Sequence, residues 1–386
     1  MQSNLSIRLL GVAALASSLL SACGTSQSNE NVVMIGSVAP LTGAQSHYGK
    51  DNDSGAKLAV DDLNARGITI GGKRVTIKLI SEDDEAKPQT ATIVAQRLVD
   101  KKVAGVIGHL NSGTSIPASK IYHDAGIVQI SPSATAVTYT KQGYKGAFRV
   151  MTNDTQQGKV LGEYAVAKLG GKNIAIIDDR TAYGQGIADE VEKAVVATGG
   201  KVVSRQFTTD SATDFTAILT TIKATNPNVV FFGGMDPQGA PLVKQMRNLG
   251  LNAKFLGGDG LQTVDYLRLA GKNGDGTIAS MPGLPLEKMP GGKSFQQKFN
   301  AKYGAIQVYA PYAYDAVMVM VEAMVRANSS DPQKYLAELV KTQYQGVTGN
   351  IAFDERGDIK LSAITLYQAK GGKWVILDVI GAAPEK

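Results

Sequence analysis

The sequence predicts an α/β fold in which two doubly wound halves each carry a sheet rich in parallel strands. Short β-branched and apolar runs alternate with longer helical patterns along almost the whole chain, which is typical of βαβ units. At 386 residues the chain exceeds the size at which a single hydrophobic core stops growing, so two domains are expected. A hydrophobic content of 43% with 19% charged residues is ordinary for a globular protein.

The first half of the pattern runs to about residue 130. Its first helix is predicted from Ala56, Ala59 and Leu63, which recur at helical spacing, and Pro88 suits the first turn of the second helix. The continuous apolar run before Gly108 is typical of a buried parallel strand. Strands are expected at residues 32–38, 75–80, 103–107 and 127–130, and helices at 51–64, 88–100 and through 118–124.

The second half repeats the same alternation after Arg149. Helices are expected at residues 158–169, 187–197, 215–224 and 239–249, and strands at 173–177, 201–207, 229–232 and 254–256. After Ser280 a loop punctuated by Pro and Gly precedes helices near 293–303 and 312–327, which fit a return of the chain to the first domain. Periodicity alone does not show that return.

The N-terminal 22 residues have the form of a secretory signal, with Arg8 before an apolar stretch at 9–20. Residues 20–23, Leu-Ser-Ala-Cys, also resemble a bacterial lipobox, which implies cleavage before Cys23 and attachment of diacylglycerol to its sulfur. We therefore expect an exported, membrane-anchored lipoprotein on the periplasmic or cell-surface side, with residues 23–31 as a flexible tether. The alternative is an ordinary signal in which the chain's single cysteine is incidental.

Several function classes are disfavoured by composition and spacing. The net charge of +6 comes from Lys and Arg interleaved with Asp and Glu, without a basic arm, so nucleic acid is not an expected partner. Residues 43–50 miss the phosphate-loop spacing, and Asp51 stands where that motif has Ser or Thr. The histidines show no metal-ligand spacing, and a Ser112–His109 nucleophile pair lacks the elbow motif of hydrolases. We expect no enzyme activity, no metal and no cofactor.

Two loops at predicted strand ends favour a ligand site. Residues 108–114 and 131–135 are rich in small and hydroxyl side chains, and each follows a buried strand. In open α/β sheets, ligands bind beyond the carboxyl ends of strands, where a helix N-terminus can hold an anion. The alternative interpretations are helix capping by Ser112 or Thr114 and a simple turn at Pro132.

Seven short stretches then occur in a recognisable order. They are residues 43–49 (GAQSHYG), 107–112 (IGHLNS), 131–136 (SPSATA), 183–186 (YGQG), 232–234 (FGG), 257–260 (GGDG) and 353–358 (FDERGD). Together, and behind a lipobox, they resemble the branched-chain amino-acid-binding (Leu/Ile/Val) family, the type I periplasmic substrate-binding proteins of ABC transporters. The resemblance covers the chain from about residue 32 to its end.

The resemblance implies two lobes joined by three crossovers around a cleft that closes on the ligand like a hinged clamp. Lobe 1 would comprise residues 32–153 and 284–365, and lobe 2 residues 154–283 and 366–386. It also implies a set of ligand-binding residues: Tyr48, Leu110, Asn111, Ser112, Ser133, Ala134, Thr135, Tyr183, Met235 and Asp259.

Within this set the resemblance assigns charges to specific groups. Ser112 and the backbone of Thr135 would receive the α-carboxylate of an amino acid. The Ser133 carbonyl, the Thr135 hydroxyl and Asp259 would hold its α-ammonium group. Tyr48, Leu110 and Tyr183 would line the cleft and exclude water.

Three positions depart from the family pattern. Met235 stands where an aromatic residue is expected, Asp259 is one methylene shorter than glutamate, and Asn111 adds an amide beside the carboxylate site. Leucine, isoleucine or valine is the leading ligand, while phenylalanine, a small amino acid and an amide-like solute stay open. The implied function is delivery of a free amino acid to an ABC permease in the inner membrane. The alternative is a ligand-sensing or regulatory binding protein of the same fold.

Overall fold

The structure, a computed structural model, describes residues 31–360 and 363–381. The predicted signal segment and Cys23 lie outside these residues. The strands are β1 (Asn31–Ala39), β2 (Ile68–Ile70), β3 (Lys73–Asp83), β4 (Gly105–Gly108), β5 (Gln129–Ser131), β6 (Ala147–Arg149), β7 (Asn173–Asp178), β8 (Lys201–Phe207), β9 (Val229–Gly233), β10 (Lys254–Gly257), β11 (Ile278–Pro282), β12 (Tyr344–Gln345), β13 (Asn350–Ile351), β14 (Ile364–Lys370) and β15 (Lys373–Ile380). The helices are α1 (Ser46–Arg66), α2 (Pro88–Asp100), α3 (Ser112–Asp124), α4 (Thr138–Lys141), α5 (Asp154–Ala167), α6 (Ala182–Ala197), α7 (Thr216–Ala224), α8 (Asp236–Asn248), α9 (Val264–Ala270), α10 (Gly292–Tyr303), α11 (Ala310–Arg326) and α12 (Pro332–Val340).

The first sheet has the strand order β2-β3-β1-β4-β5-β6 and is parallel except for β2. One face buries Ile35 and Ile107 in a cluster that includes residues of α1 and α11, and the other buries Val38 and Val106 against α2 and α3. Because helices cover both faces, the central strands read as continuous apolar runs. The loops after β4 and β5 leave the same edge of this sheet.

The second sheet has the order β15-β14-β11-β10-β9-β7-β8. Strands β7 to β11 are parallel, and β14 and β15 add an antiparallel edge. Alternate residues of β9 point to opposite faces: Phe231 belongs to the cluster that holds Leu161 and Val191, whereas Phe232 packs with Leu219 and Leu242. Both sheets are therefore doubly wound, as the sequence predicts.

The chain passes between the two sheets three times. It leaves the first sheet after β6, and it leaves the second after β11 to form α10, α11 and α12. Helix α11 packs on α1, β2, β4 and β5, and the chain then returns as β14, which pairs with β11. We call the first sheet with α1–α4 and α10–α12 the first lobe, and the second sheet with α5–α9 the second lobe.

A glycine sets the approach of α1 to α11 in the first lobe. A Cβ atom on Gly55 would lie 2.2 Å from the carbonyl oxygen of Ala310, so only glycine allows this contact. Within residues 31–360 and 363–381, no helix has both the length and the apolar character that a membrane span requires.

Candidate functional site

A cavity between the lobes collects most of the predicted binding residues. It is lined, in chain order, by Leu110, Asn111, Ser112, Ser133, Tyr183, Met235, Asp259 and Tyr309. Tyr48, Ala134 and Thr135 were also predicted; all three are buried, and none of them lines the cavity. Seven of the ten predicted positions therefore surround one cavity, and Tyr309 is an addition that the sequence did not indicate.

The two loops from the first lobe are tied to each other. The hydroxyls of Ser115 and Ser131 both donate to the carbonyl oxygen of His109, at 3.0 and 2.8 Å. The Ser133 hydroxyl donates to the carbonyl oxygen of Leu110 at 2.9 Å. These bonds fix the loops after β4 and β5 as one surface, in agreement with the expectation that both face the same group.

Ser112 is the first residue of α3 rather than its cap. The residue before it, Asn111, occupies the cap position without a capping hydrogen bond from its side chain. The Ser112 hydroxyl instead accepts a hydrogen bond from the backbone N–H of Ala136 at 3.1 Å. Thr114 donates to the Asn111 carbonyl oxygen. Capping therefore does not explain Ser112, which lies at a helix N-terminus where anions are favoured.

The histidine beside this loop is structural. Nδ1 of His109 lies 2.8 Å from Asp84 Oδ2, and its Nε2 lies 3.0 Å from the Tyr122 hydroxyl, with all three side chains buried. Because both ring nitrogens are engaged, His109 does not serve Ser112 as a base. Among the described residues, no cluster of three or more histidine, cysteine or carboxylate side chains could hold a metal ion.

Asp259 presents a buried carboxylate from the second lobe. It begins a short 3₁₀ turn after β10 and accepts hydrogen bonds from Tyr183 Oη at 2.9 Å, Gln157 Nε2 at 2.9 Å and Tyr309 Oη at 2.6 Å. Burial raises the pKa of Asp259 above its ordinary value, although these three donors act in the opposite direction. Gln157 is a further contributor that the sequence did not indicate.

A second acid lies close to Asp259. Asp154 opens α5 and is completely buried. The pKa of Asp154 is raised to about 8: burial is the main cause, the Thr135 hydroxyl beside it acts in the opposite direction, and the charge of Asp259 adds to the rise. Of these two buried carboxyl groups only Asp259 lines the cavity, where a carboxylate favours a positively charged partner.

Tyr309 enters the cavity because a carboxylate from α1 holds its backbone. Both oxygens of Asp51 accept backbone N–H bonds at the start of α11, from Gln307, Val308, Tyr309 and Ala310 at 2.7–3.0 Å. The Pro that follows at 311 suits a helix start, but only the pairing of α1 with α11 brings Tyr309 to the site.

Arg149 anchors the loop that contains Ala134 and Thr135. The buried guanidinium group donates to the carbonyl oxygens of Ala134 and Ala136, at 2.7 and 3.1 Å, and to the carboxylate of Asp358 at 2.6 Å. Arg149 and the other donors hold the pKa of Asp358 below its ordinary value, against the effect of burial. Asp358, in the stretch 353–358, thus holds Arg149 in place, and Arg149 in turn holds the loop that contains Ala134 and Thr135.

Direct contacts also join the two lobes around the cavity. The Tyr48 hydroxyl donates to the carbonyl oxygen of Gly260 at 2.7 Å. Nε2 of His47 lies 3.0 Å from Asp236 Oδ2, and the Tyr309–Asp259 bond makes a third link. The cavity itself has a volume of only about 10 Å³, the room of a single water molecule. An amino acid can therefore enter only if the lobes separate or the lining side chains move.

Comparison with known proteins agrees with this architecture. A family model described as periplasmic binding protein matches residues 32–373. An amino acid binding protein of Pseudomonas aeruginosa is 38% identical over 87% of this chain and 90% of its own length. The Leu/Ile/Val-binding protein homolog 1 of Brucella suis is 34% identical over 88% of this chain and 91% of its own.

A solved structure gives the same result for the fold. The crystal structure of a leucine binding protein from Thermotoga maritima superposes with a TM-score of 0.85 at 27% identity, over 90% of this chain and 99% of that one. The chain belongs to the periplasmic binding protein family, and it has the two-lobed type I fold of the branched-chain amino-acid-binding proteins.

Proposed function

We propose that this protein binds a free amino acid in the cavity between its lobes. The observation that carries the proposal is that one side of the cavity favours a positive charge and the opposite side favours a negative charge. The second-lobe side presents the carboxyl group of Asp259, with the buried Asp154 close to it, and the first-lobe side presents Ser112 at the N-terminus of α3. An α-amino acid carries the complementary pair of charges in one small molecule.

The roles assigned to individual residues follow from that arrangement. The α-carboxylate lies against Ser112 and the backbone of Thr135. The α-ammonium lies against Asp259, the Thr135 hydroxyl and the Ser133 carbonyl, where it favours ionised forms of the buried acids. Leu110 and Tyr183 shape the walls. Tyr48 helps to exclude water through its bond to Gly260. Branched-chain side chains are the first candidates, since relatives include Leu/Ile/Val-binding proteins.

A ligand that touches both sides can shift the lobes toward closure, whereas one that touches a single lobe cannot. We place the hinge where the chain crosses between lobes, with lobe 1 as residues 32–153 and 284–365 and lobe 2 as 154–283 and 366–386.

A thermal-shift screen tests the binding site. The protein without residues 1–23 is melted in the presence of each common amino acid, and a ligand that binds only the folded state raises its melting temperature. We expect one chemical group of amino acids to stabilise it, and Asp259→Ala to abolish that shift. The control Asp100→Ala removes an exposed carboxylate at the end of α2 and keeps the shift. Equal stabilisation of the Asp259→Ala variant would contradict the assignment.

We further propose that the protein is the lipid-anchored receptor of an ABC importer. Cys23 supplies the anchor, and a permease in the inner membrane takes the amino acid. Deleting the chain from its host should reduce uptake of the labelled amino acid, and unchanged uptake would favour a sensory role instead. Cys23→Ser should release the protein from the membrane fraction with its affinity intact, and retained membrane association would exclude the anchor.

A further inference from the structure

A second cavity of about 390 Å³ adjoins the site just described. Asn111, Tyr183 and Met235 line both cavities, so the two are neighbours across these side chains. The remaining wall of the second cavity includes Asp179 and Asp210 from the second lobe. Its volume far exceeds that of the first cavity, and it is large enough to take the far end of a long side chain.

Two acceptor atoms of this wall have no hydrogen-bond partner among the described residues. They are Oδ2 of Asp179 and Oδ1 of Asn111. The other oxygen of Asp179 is satisfied by the N–H and hydroxyl of Thr181, at 3.0 and 2.6 Å. Asp179 is only 2% exposed. Buried acceptors are normally paired, so this carboxylate lacks a donor that nothing else in the wall supplies.

The charges around Asp179 also favour a donor. The pKa of Asp179 is raised to about 6, mainly by burial; the hydrogen bonds from Thr181 act in the opposite direction, and the nearby charges of Asp210 and Asp178 add to the rise. The one basic side chain of the wall, Arg180, is directed elsewhere, since its guanidinium lies 3.9 Å from the ring centre of Phe207 and 3.8 Å from Asp178. Arg180 therefore does not supply the missing donor to Asp179.

Met235 stands between the two cavities. Its sulfur lies 2.8 Å from the position that a Cβ on Gly260 would occupy, which places the side chain across the second-lobe turn that carries Asp259. An unbranched thioether changes rotamer easily. Among the three side chains that line both cavities, Met235 is therefore the one best able to move aside for a ligand that spans them.

We propose that the second cavity receives the end of a long ligand side chain, and that among long side chains the site favours those that end in N–H donors. The inference rests on the proposed function, since the α-carboxylate and α-ammonium groups keep the positions given above. The terminal donors bond to Asp179 and Asn111. Both an amide and a cation offer this chemistry.

Calorimetric titration of the protein without residues 1–23 tests the inference with four ligands: leucine, norleucine, glutamine and lysine. Norleucine is long but has no donor. We expect glutamine or lysine to bind at least tenfold more tightly than norleucine, and their ranking separates amide from cation. The variant Asp179→Asn should cost the preferred long ligand tenfold or more and leave leucine affinity within twofold. The matched control Asp214→Asn alters an exposed carboxylate of the same lobe and should change neither.

The outcomes separate the inference from the proposed function. Leucine binding with no advantage of glutamine or lysine over norleucine overturns the inference alone. Equal losses for leucine and the long ligand in Asp179→Asn also overturn it. No binding of any amino acid by a cooperatively melting protein overturns both. If Asp179→Asn does not fold, the comparison of norleucine with glutamine and lysine on the unaltered protein still decides.

Discussion

Asp154 and Asp259 place two carboxyl groups in the interior on one side of the cleft. Ionising either one there is costly, because burial disfavours the charged form. Tyr183, Tyr309 and Gln157 offset part of this cost for Asp259 through direct hydrogen bonds. The protein keeps these acids at the expense of its own stability, which is typical of groups retained for binding.

The raised pKa of Asp154 predicts a pH dependence of stability. Its pKa is about 8 in the folded protein and 3.8 in the unfolded chain, so between these values only the unfolded chain loses the proton. This group's contribution to the free energy of unfolding therefore falls as the pH rises from about 4 to 8, by at most about 1.4 kcal/mol per pH unit. Asp154→Asn removes that slope.

The measurement is urea denaturation of both proteins at pH 4.5, 6 and 8 without ligand. The stability of Asp154→Asn relative to the unaltered protein should rise steadily with pH. A difference that does not vary with pH would mean that Asp154 titrates normally.

Asp51 does not line the cavity, but it is expected to affect ligand binding because it fixes the backbone of Tyr309. Asp51→Ala leaves three buried N–H groups and one half-buried N–H group at the start of α11 without their acceptor, and each buried loss costs about 1–3 kcal/mol. We expect a large fall in melting temperature and weaker amino-acid binding, because Tyr309 loses its fixed backbone. Asp51→Asn keeps one acceptor oxygen, so its melting temperature and affinity should lie between those of Asp51→Ala and the unaltered protein. If calorimetry shows unchanged amino-acid affinity in a folded Asp51→Ala protein, the fixed position of Tyr309 does not contribute to binding.

At the scale of elements, the approach of α1 to α11 positions both Tyr48 and Tyr309. Gly55→Ala puts a methyl group 2.2 Å from the Ala310 carbonyl oxygen, so the helices must move apart. We expect a destabilisation of about 1–3 kcal/mol. Thermal melting should show it clearly, while Lys57→Ala, an exposed change in the same helix, has a much smaller effect. A Gly55→Ala protein as stable as the unaltered one would show that this interface is adaptable.

The sequence predicts elements well where burial gives them a clear pattern. Strands β1, β4, β7 and β9 lie in parallel sheets covered on both faces, so their apolar runs are unbroken. Strands β11, β14 and β15 are not predicted from the sequence. The edge strand β15 exposes Val375, Ile376 and Leu377 to similar degrees, which gives no alternation to detect. Helix α1 starts at Ser46, five residues before the predicted start.

The same limit applies to the site. Ser112, Ser133 and Thr135 follow strand ends, where general rules of α/β sheets place ligands, and their contacts with a ligand stay a prediction. Tyr309 and Gln157 reach the cavity only through tertiary packing of helices far apart in sequence. No local pattern marks them, and the buried state of Asp154 is equally invisible in the sequence.

At the scale of the whole molecule, direct bonds between the lobes stabilise the arrangement in which the two lobes meet around the small cavity. Tyr48→Phe removes the bond to Gly260 and leaves its carbonyl oxygen unpaired when the lobes close. We expect closure to lose about 1–2 kcal/mol and amino-acid affinity to fall roughly tenfold. Small-angle X-ray scattering of the ligand-free variant should show a larger radius of gyration. An identical radius together with an identical Kd would mean that this bond does not favour the closed form.

The return of β14 to the second sheet has a consequence for how the chain folds. The Thr365 hydroxyl donates to the carbonyl oxygen of Gly283, 82 residues earlier, and the intervening chain forms α10, α11 and α12 of the first lobe. Completing the second sheet therefore requires the closure of a loop of this length, which carries an entropic cost before any contact repays it. Neither lobe is built from one continuous segment of the chain. We expect slow folding in which each lobe depends on the other, as is typical of contacts between distant segments.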